Sequence, residues 1–385
     1  MILLTGADGY MGWPVFLKLG KTFKNELIIG VDNLQRRKWV ENVGGISAVP
    51  VYDIQTRIKT AKEKGFENIH FIEGDISNKD FAYQLLAQFK PRAIVHLAAQ
   101  PSAPYSQING QLASFTQENN NGMLRNLLWG MKELGLEDTH LITTTTTGVY
   151  GAPEFPIPEG FLDIRDERGN VMDTVIYPGM ATSWYHMSKA NDVNNLYLAH
   201  HLWKLPLTDI RTSIVFGTET EETALSEKLA TRFDFDFYFG VVPNRFCAQA
   251  LAGHPITIYG KGEQRKPFIT LNDAATSIVR AAEMKKERKF EVFNQYTLLI
   301  SPKELAEAVK EACQAFNIPV AVTHIKNPRV EKEDHHMIME NKGFLTRLLR
   351  KTPETLDDCI RRTIKKLLPY KNTIIQHYQA ILPSG

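Results

Sequence analysis

The sequence has few cysteines and no long apolar run. Its 385 residues include three cysteines, Cys247, Cys313 and Cys359, which lie far apart and form no CxxC pair. A disulfide framework or a structural zinc site is therefore not expected, and a reducing compartment, the cytoplasm, is the simpler prediction. No stretch approaches the roughly 20 consecutive apolar residues that a membrane-spanning helix needs. The strand-like Ile2–Leu4 follows Met1 directly, so neither a signal peptide nor a transit peptide is expected.

An excess of charge of one sign is lacking as well. The chain carries 45 Lys and Arg against 43 Asp and Glu, a formal net charge of +2. Without a basic excess, neither nucleic acid nor an anionic membrane is an expected partner. The pairs His200-His201 and His335-His336 would place their rings on different sides of a helix or strand, and no Cys or carboxylate spacing completes a ligand set. No metal site is predicted.

Short apolar segments alternate with stretches that are long enough for a helix. This alternation is typical of a parallel sheet with helices on both faces, so it predicts an α/β fold with a Rossmann-type doubly wound parallel sheet. The predicted strands are Ile2–Leu4, Leu27–Val31, His70–Ile72, Ala93–Leu97, Leu141–Thr144 and Ile210–Phe216.

The second half of the chain has a different character. The aromatic run Phe233–Phe239 leads into apolar segments that are interrupted by polar side chains. We interpret this half as a smaller C-terminal α/β substrate-binding domain. Residues 1–216 are expected to lie mainly in the Rossmann domain and residues 217–385 mainly in the smaller domain, with interleaved segments. Ser301-Pro302-Lys303-Glu304 is a capping box, which predicts that a helix begins there.

A glycine-rich turn follows the first predicted strand. Gly6, Gly9 and Gly12 leave room where a backbone must approach a pyrophosphate, and the helix that follows offers N–H groups and a favourable dipole to an anion. Asp32 closes the second strand, where its carboxylate can accept hydrogen bonds from an adenosine ribose. This context predicts NAD as the cofactor.

The choice between NAD and NADP depends on the residues after the second strand. Asp32 would repel a 2′-phosphate and favours NAD, whereas Arg36 and Arg37 are close enough in sequence to stabilise one, so NADP stays an alternative. Asp75 and Ile76 follow the third strand and are placed to meet the adenine, with an ordinary strand-end Asp75 that binds no ligand as the alternative. The predicted cofactor contacts are Gly6, Gly9, Tyr10, Met11, Gly12, Asp32, Asn33, Arg36, Asp75, Ile76, Leu97, Ala98 and Asn119, together with Tyr185 and Lys189.

Tyr185 and Lys189 stand four positions apart and share one face of a predicted helix. A nearby ammonium group stabilises a phenolate, so we expect Lys189 to lower the pKa of Tyr185 towards the range of a general base. The strand Leu141–Thr144 leads into a run of threonines, in which Thr146 offers a hydroxyl to a substrate alcohol. Together these residues predict dehydrogenase chemistry.

Five segments carry a family resemblance that runs over nearly the whole chain. In these segments, and in the order of its motifs, the sequence resembles the extended short-chain dehydrogenase/reductase superfamily, whose members act on nucleotide sugars. Within that superfamily it is similar to the branch that joins sulfite to UDP-glucose. The segments are Val31–Arg37, Gln100–Ser106, Ser183–Lys189, Asn244–Ala250 and Asn327–Glu331.

The resemblance implies a redox-neutral reaction with bound NAD. Tyr185, assisted by Lys189 and Thr146, would take the proton of the glucose 4-hydroxyl while hydride passes to NAD. The 4-ketone acidifies the proton at carbon 5, the 6-hydroxyl is eliminated, sulfite adds to carbon 6 of the enone, and the hydride returns to carbon 4. The product would be UDP-6-sulfo-6-deoxyglucose.

The positions after the catalytic threonine differ from those of related dehydratases. Those enzymes carry an Asp-Glu pair there as acid and base for eliminating water, whereas this chain has Thr147 and Gly148. Elimination must therefore use other groups, and His186 is the candidate, with packing or hydrogen bonding as its alternative role. Two further family side chains are missing, because Val149 and Pro101 stand where the plant enzymes have Glu and Arg.

The resemblance also implies contacts to UDP-glucose. In the substrate motif, Lys266 stands at the usual position of an arginine and Arg265 stands one residue earlier, so either cation is a candidate for the diphosphate. A homodimer is expected from the superfamily. The expected substrate contacts are Gln100, Tyr105, Thr146, Asn244, Arg245, Thr257, Tyr259, Gln264, Arg265, Lys266 and Arg329.

Two other functions stay open at this point. A UDP-sugar 4-epimerase would use the same cofactor and would convert UDP-glucose without sulfite. A catalytically silent NAD-binding regulatory protein is the other alternative, and the presence of Tyr185, Lys189 and Thr146 argues against it.

Overall fold

A computed structural model describes residues 1–151, 153–284, 287–326 and 337–382 of the protein. The strands are β1 (Ile2–Thr5), β2 (Ile28–Asp32), β3 (Ile69–Glu73), β4 (Ala93–His96), β5 (His140–Thr146), β6 (Phe161–Arg165), β7 (Val171–Ile176), β8 (Leu207–Thr212), β9 (Ile214–Phe216), β10 (Ile256–Tyr259), β11 (Lys266–Thr270), β12 (Phe290–Gln295), β13 (Leu298–Ile300) and β14 (Val322–Ile325). The α-helices are α1 (Gly12–Thr22), α2 (Gln35–Asn42), α3 (Ile54–Glu63), α4 (Lys79–Phe89), α5 (Gly110–Glu133), α6 (Trp184–Trp203), α7 (Val242–Ala252), α8 (Leu271–Glu283), α9 (Pro302–Gln314), α10 (Leu356–Leu367) and α11 (Lys371–Gln376).

Seven strands form one parallel sheet in the order β12-β8-β5-β4-β1-β2-β3. Helices cover both of its faces, so the predicted α/β class and doubly wound parallel sheet are confirmed. Strand β12 comes after residue 216, which means that the chain returns to the central sheet from its C-terminal half. The carboxyl ends of parallel strands share one edge of the sheet, and ligands bind along that edge in such folds.

Strand β1 shows how the sheet is buried on both faces. Ile2 and Leu4 pack with Trp13 of α1 on one face, whereas Leu3 packs with Leu124 of α5 on the other face. Side chains alternate across a strand, so a core on each side requires an uninterrupted apolar run. The run Ile2–Leu4 meets this requirement.

The predicted strand Ile210–Phe216 is wrong in one respect, because the segment contains two strands in two different sheets. Strand β8 pairs with β5 and β12 in the central sheet, whereas β9 leaves that sheet and pairs with β11. The chain therefore passes from the cofactor side to the second half of the molecule at Ser213. The antiparallel hairpin β6–β7 lies outside the predicted strands.

The C-terminal half adds the three-stranded sheet β13-β11-β9 and the pair β10-β14. Helices α7, α9 and α10 enclose a core in which Cys247, Cys313 and Cys359 are buried as thiols. The predicted capping box is confirmed, because Ser301 Oγ accepts the Glu304 N–H and the Glu304 carboxylate accepts the Ser301 N–H. Within the described ranges, no helix is both long and apolar enough to cross a membrane.

Candidate active site

A cavity of about 1370 Å³ opens at the carboxyl ends of the central strands. Its floor is formed by the last residues of several strands or by the residues that follow them, including Thr5, Asp32, Leu97, Thr146 and Thr212. The opposite wall comes from the second half of the chain, through residues 237–242 and the first residues of β11. The cavity therefore lies between the two halves of the molecule.

The glycine turn forms one end of this cavity. Gly6 has φ +80°, and a Cβ atom there would lie 2.6 Å from the backbone nitrogen of Ala98. A Cβ atom on Gly12 would lie 1.8 Å from the carbonyl oxygen of Gly6. Only glycine permits this close packing, which brings the first residues of α1 to the cavity wall. Backbone N–H groups at a helix N-terminus fit the pyrophosphate of NAD.

Asp32 lies beside this turn and lines the cavity. Its Oδ2 accepts the N–H of Asp8 at 3.0 Å and its Oδ1 accepts the N–H of Leu34 at 2.7 Å, which fix the carboxylate at the end of β2. Burial, and to a smaller extent the charge of Asp8, raise the pKa of Asp32 to about 6. At neutral pH the ionised carboxylate can accept hydrogen bonds from ribose hydroxyls.

Arg36 and Arg37 are both held by acidic partners. Arg37 donates from Nε and Nη2 to the two carboxylate oxygens of Asp8, each at 2.8 Å. Arg36 donates from Nη2 to Asp234 at 2.8 Å, and its guanidinium group lies 4.3 Å from the ring centroid of Phe239. Because both guanidinium groups are paired, the structure fits NAD better than NADP.

Helix α6 carries three of the expected catalytic residues. Ser183 caps its N-terminus by accepting the N–H of His186 at 3.1 Å, and Tyr185 and Lys189 follow on the side that faces the cavity. Lys189 is 3% exposed, and its Nζ donates to the carbonyl oxygen of Thr144 at 3.2 Å.

A buried carboxylate offsets the charge of Lys189. Asp192 Oδ2 lies 3.5 Å from Lys189 Nζ, and Asp192 Oδ1 accepts a hydrogen bond from Asn121 at 2.7 Å. Burial raises the pKa of Tyr185 well above its usual value, the charge of Asp192 raises it further, and Arg36 opposes the shift. The net shift of the Tyr185 pKa is therefore upward, opposite to the expected lowering, because burial of the phenol outweighs the favourable charges.

The turn after β5 brings Thr146 and His186 to the same region. Both side chains line the cavity, and Thr146 Oγ1 accepts the N–H of Gly148 at 3.2 Å. A Cβ atom on Gly148 would lie 2.4 Å from His186 Nε2, so the imidazole packs directly on this glycine. His186 Nδ1 lies 3.5 Å from Thr182 Oγ1. The ring thus occupies the space that a side chain at position 148 would fill.

The structure brings most of the expected site residues to the cavity. All the expected cofactor contacts line it, and so do the expected catalytic residues. Of the remaining substrate contacts, Arg245, Gln264 and Lys266 line it. The expected cofactor contacts and catalytic residues that line it are Gly6, Gly9, Tyr10, Met11, Gly12, Asp32, Asn33, Arg36, Asp75, Ile76, Leu97, Ala98, Asn119, Thr146, Tyr185, His186 and Lys189.

Six expected substrate contacts do not line the cavity. The side chain of Gln100 is fully buried and donates to Ser102 and Thr116, and the amide of Asn244 donates to the backbone of Asp234. Arg265 is paired with Glu304, so of the two cations in its motif Lys266 is the one on the cavity wall. The six are Gln100, Tyr105, Asn244, Thr257, Tyr259 and Arg265, and Arg329 lies outside the described residues.

Aromatic residues form a part of the wall that the expected site does not include. Phe237, Tyr238 and Phe239 line the cavity, and so does Trp39 of α2. Tyr105 packs behind them, with its ring centroid 5.1 Å from that of Phe239. The aromatic run that marks the second half of the sequence was the available signal for this wall.

Comparisons with known proteins agree with this geometry. A family model described as "NAD dependent epimerase/dehydratase family" matches residues 2–294. The chain is 38% identical to the UDP-sulfoquinovose synthase of Sulfolobus acidocaldarius, over 99% of this chain and 96% of that protein. It is 39% identical to the chloroplastic UDP-sulfoquinovose synthase of Spinacia oleracea, over 87% of this chain and 69% of that protein. The fold is similar to that of UDP-glucose 4-epimerase from Bifidobacterium longum in complex with NAD⁺ and UDP, with a TM-score of 0.71. The two sequences are 18% identical, and the match covers 97% of this chain and 99% of that one.

Proposed function

The chain belongs to the NAD-dependent epimerase/dehydratase family, and from this premise we propose that it acts as a UDP-sulfoquinovose synthase, converting UDP-glucose and sulfite into UDP-6-sulfo-6-deoxyglucose. Two relatives with that name match the chain over most of its length. The structural observation that carries the proposal is the packing of His186 on Gly148, in the region where a dehydratase would carry its Asp-Glu pair. The imidazole of His186 lines the cavity there and can serve the elimination in place of that pair.

The first step removes hydrogen from carbon 4 of the glucose. Bound NAD supplies a hydride acceptor for this step and a hydride donor for the last one. Tyr185 takes the proton of the 4-hydroxyl, Thr146 holds the same oxygen through its hydroxyl, and Lys189 stabilises the phenolate from the buried side of α6. In the last step Tyr185 returns its proton to the 4-oxygen.

The middle steps exchange the 6-hydroxyl for sulfite. The 4-ketone acidifies the carbon 5 proton, which His186 removes, and the carbon 6 oxygen leaves as water after it takes a proton. Sulfite then forms a carbon–sulfur bond at carbon 6 of the enone, while carbon 5 regains a proton. The sequence consumes UDP-glucose and sulfite, releases water, and leaves the cofactor in its original oxidation state.

The second half of the chain supplies the UDP contacts in this proposal. Arg245 and Lys266 bring positive charge to the cavity, and Gln264 lines it as well. Residues 1–216 would then hold mainly the cofactor and residues 217–385 mainly the UDP. The expected contacts that do not line the cavity, such as Gln100 and Asn244, would act by holding this wall in place.

The decisive experiment is incubation of the purified protein with UDP-glucose, with and without sulfite, followed by mass spectrometry of the sugar nucleotides. The proposal expects a sulfonated product only when sulfite is present. A Tyr185→Phe variant is the matched control and should form none. Appearance of UDP-galactose with no sulfonated product would instead establish a 4-epimerase, and no turnover of any kind would favour an NAD-binding regulatory protein.

We further propose that the protein is a homodimer. Helices α5 and α6 pack side by side, and they expose large apolar side chains, including Trp129, Leu198 and Leu202, on their outer faces. Analytical ultracentrifugation should give twice the chain mass of 43.7 kDa, and Leu198→Glu should give the monomer. A wild-type monomer would overturn this part of the proposal.

We also propose that the protein works in the cytoplasm, where its three unpaired thiols would persist. Cell fractionation with an antibody to the chain tests this location.

A further inference from the structure

The side chain of Asp8 lies inside the glycine turn, yet its carboxylate faces away from the cavity. Asp8 is 2% exposed, and two arginines bind its carboxylate. Arg37 of α2 donates to both oxygens at 2.8 Å, and Arg57 of α3 donates from Nη1 to Oδ1. The carboxylate thus joins the cofactor turn to the two helices that follow β2.

This cluster lies directly beside the ribose-binding carboxylate. The N–H of Asp8 donates to Asp32 Oδ2 at 3.0 Å, so the two acidic residues are in contact through the backbone. The charge of Arg37 lowers the pKa of Asp32, while the charge of Asp8 raises it. Arg37 is therefore a cation within electrostatic range of the carboxylate that receives the adenosine ribose.

A cation at this place has the chemistry that a 2′-phosphate requires. A guanidinium group binds phosphate through two parallel N–H donors. In this protein, however, Nε and Nη2 of Arg37 are both engaged by Asp8, and Nη2 also donates to the carbonyl oxygen of Tyr52 at 2.9 Å. Arg37 does not line the cavity itself, and the fork that it would have to turn towards the phosphate of NADP is already occupied by a carboxylate.

The charges of the cluster are balanced when Asp32 is counted with it. Arg37 and Arg57 supply two positive charges, and Asp8 and Asp32 supply two negative ones. A 2′-phosphate would add about two more negative charges and would have to displace Asp8 from Arg37. If the phosphate displaced Asp8 from Arg37, the Asp8 carboxylate would keep Arg57 as its one arginine partner.

We propose that Asp8 is a specificity-determining residue, which withholds Arg37 from a 2′-phosphate and so makes the protein select NAD over NADP. Asp32 repels the phosphate directly, and Asp8 removes the cation that could compensate for that repulsion. Cofactor choice is therefore set by two carboxylates on two segments rather than by the strand-end residue alone.

The test is the binding of NAD and NADP to the full-length protein, measured by isothermal titration calorimetry. Asp8→Asn keeps an oxygen that can accept from Arg57 but removes the charge that holds Arg37. The ratio of the NADP to the NAD dissociation constant should fall by about tenfold or more, as expected when a charge-assisted hydrogen bond to phosphate becomes available. NAD should still bind more tightly, because Asp32 is unchanged.

Two controls identify the cation. The double variant Asp8→Asn with Arg37→Gln should return the ratio to the wild-type value, whereas Arg57→Met alone, which leaves the Asp8–Arg37 pair in place, should not lower it. An unchanged ratio in Asp8→Asn, or a gain that survives the loss of Arg37, would overturn the proposal. Neither outcome depends on the sugar reaction, so failure here leaves the proposed function untouched.

Folding is a concern because Arg57 is 1% exposed and its guanidinium group lies 3.8 Å from the ring centroid of Trp13. Removing its acidic partner leaves a buried charge without compensation. If Asp8→Asn does not fold, the variant Asp8→Ser with Arg57→Met removes both buried charges and still releases Arg37. The same fall in the dissociation-constant ratio is then expected.

Discussion

The imidazole of His186 fills the space that a side chain at position 148 would need. A Cβ atom on Gly148 would lie 2.4 Å from both Nε2 and Cδ2 of His186. The contact joins the turn after β5 to the first turn of α6, so it holds the ring beside Thr146 and Tyr185. A side chain at position 148 would therefore require the imidazole to move.

Gly148→Ala should therefore displace the ring. We expect formation of the sulfonated product to fall by about 10- to 100-fold, since small displacements of reacting groups are costly, while reduction of bound NAD by UDP-glucose continues. Product is measured by mass spectrometry and reduced cofactor by its absorbance. Adding His186→Ala to the variant should relieve the crowding and restore the melting temperature, but not the activity. Wild-type product formation by Gly148→Ala alone would rule out a role for the ring position.

Replacement of the ring itself separates the elimination from the oxidation. His186→Asn should lower product formation by about 10²- to 10⁴-fold, the usual contribution of a general base, with little change in reduction of bound NAD. In D₂O without sulfite, the wild-type protein should exchange the carbon 5 proton of UDP-glucose and the variant should not, as followed by NMR. Thr182→Val is the matched control, because it removes a neighbour 3.5 Å from the ring and keeps the imidazole. Undiminished exchange in His186→Asn would assign the base to another group.

Much of the fold and of the cofactor site could be predicted because the relevant signals are local. The apolar run Ile2–Leu4 and the spacing of Gly6, Gly9 and Gly12 each depend on a few consecutive residues, and the sheet brings the ends of its strands to one edge. Tyr185 and Lys189 share a helix face for the same local reason. Such features need no knowledge of distant contacts.

The substrate side was harder to predict because long-range contacts decide it. Asn244 turns inward to Asp234, and Arg265 is drawn to Glu304, 39 residues away in sequence. The partner of Arg36 is separated from it by 198 residues. A sequence shows that these side chains are polar, but not whether a ligand or another residue will satisfy them.

The charge of Asp192 should govern the pH dependence of the first step. Asp192→Asn removes a negative charge 3.5 Å from Lys189 that raises the pKa of Tyr185. The phenol should then ionise more easily, and the acidic limb of the pH profile for reduction of bound NAD should move to lower pH. A purely structural role of Asp192 would lower the melting temperature and leave the profile in place. Asp209→Asn is the control, because it removes another buried carboxylate near Asp192. It should shift the acidic limb less than Asp192→Asn does.

Asp32 predicts opposite effects of pH on cofactor binding and on stability. Its pKa of about 6 lies above the usual 3.8, so the folded protein holds this proton more tightly than the unfolded chain does. The contribution of Asp32 to the stability of the cofactor-free protein is therefore greatest below about pH 4 and declines as the pH rises to about 6. Binding of NAD requires the ionised carboxylate, so the dissociation constant should rise by up to about tenfold per pH unit below 6.

The two trends can be separated with one variant. Asp32→Asn cannot ionise, so the difference between wild type and variant isolates this carboxylate from other groups that titrate in the same range. Between pH 4 and pH 6 the free energy of unfolding of the wild type should decrease relative to Asp32→Asn, as measured by denaturant titration, while its affinity for NAD should increase relative to the variant. If both quantities moved in the same direction with pH, the raised pKa could not belong to the carboxylate that receives the ribose. Opposite slopes would show that folding gives up stability at neutral pH to keep an ionised acceptor in the cofactor site.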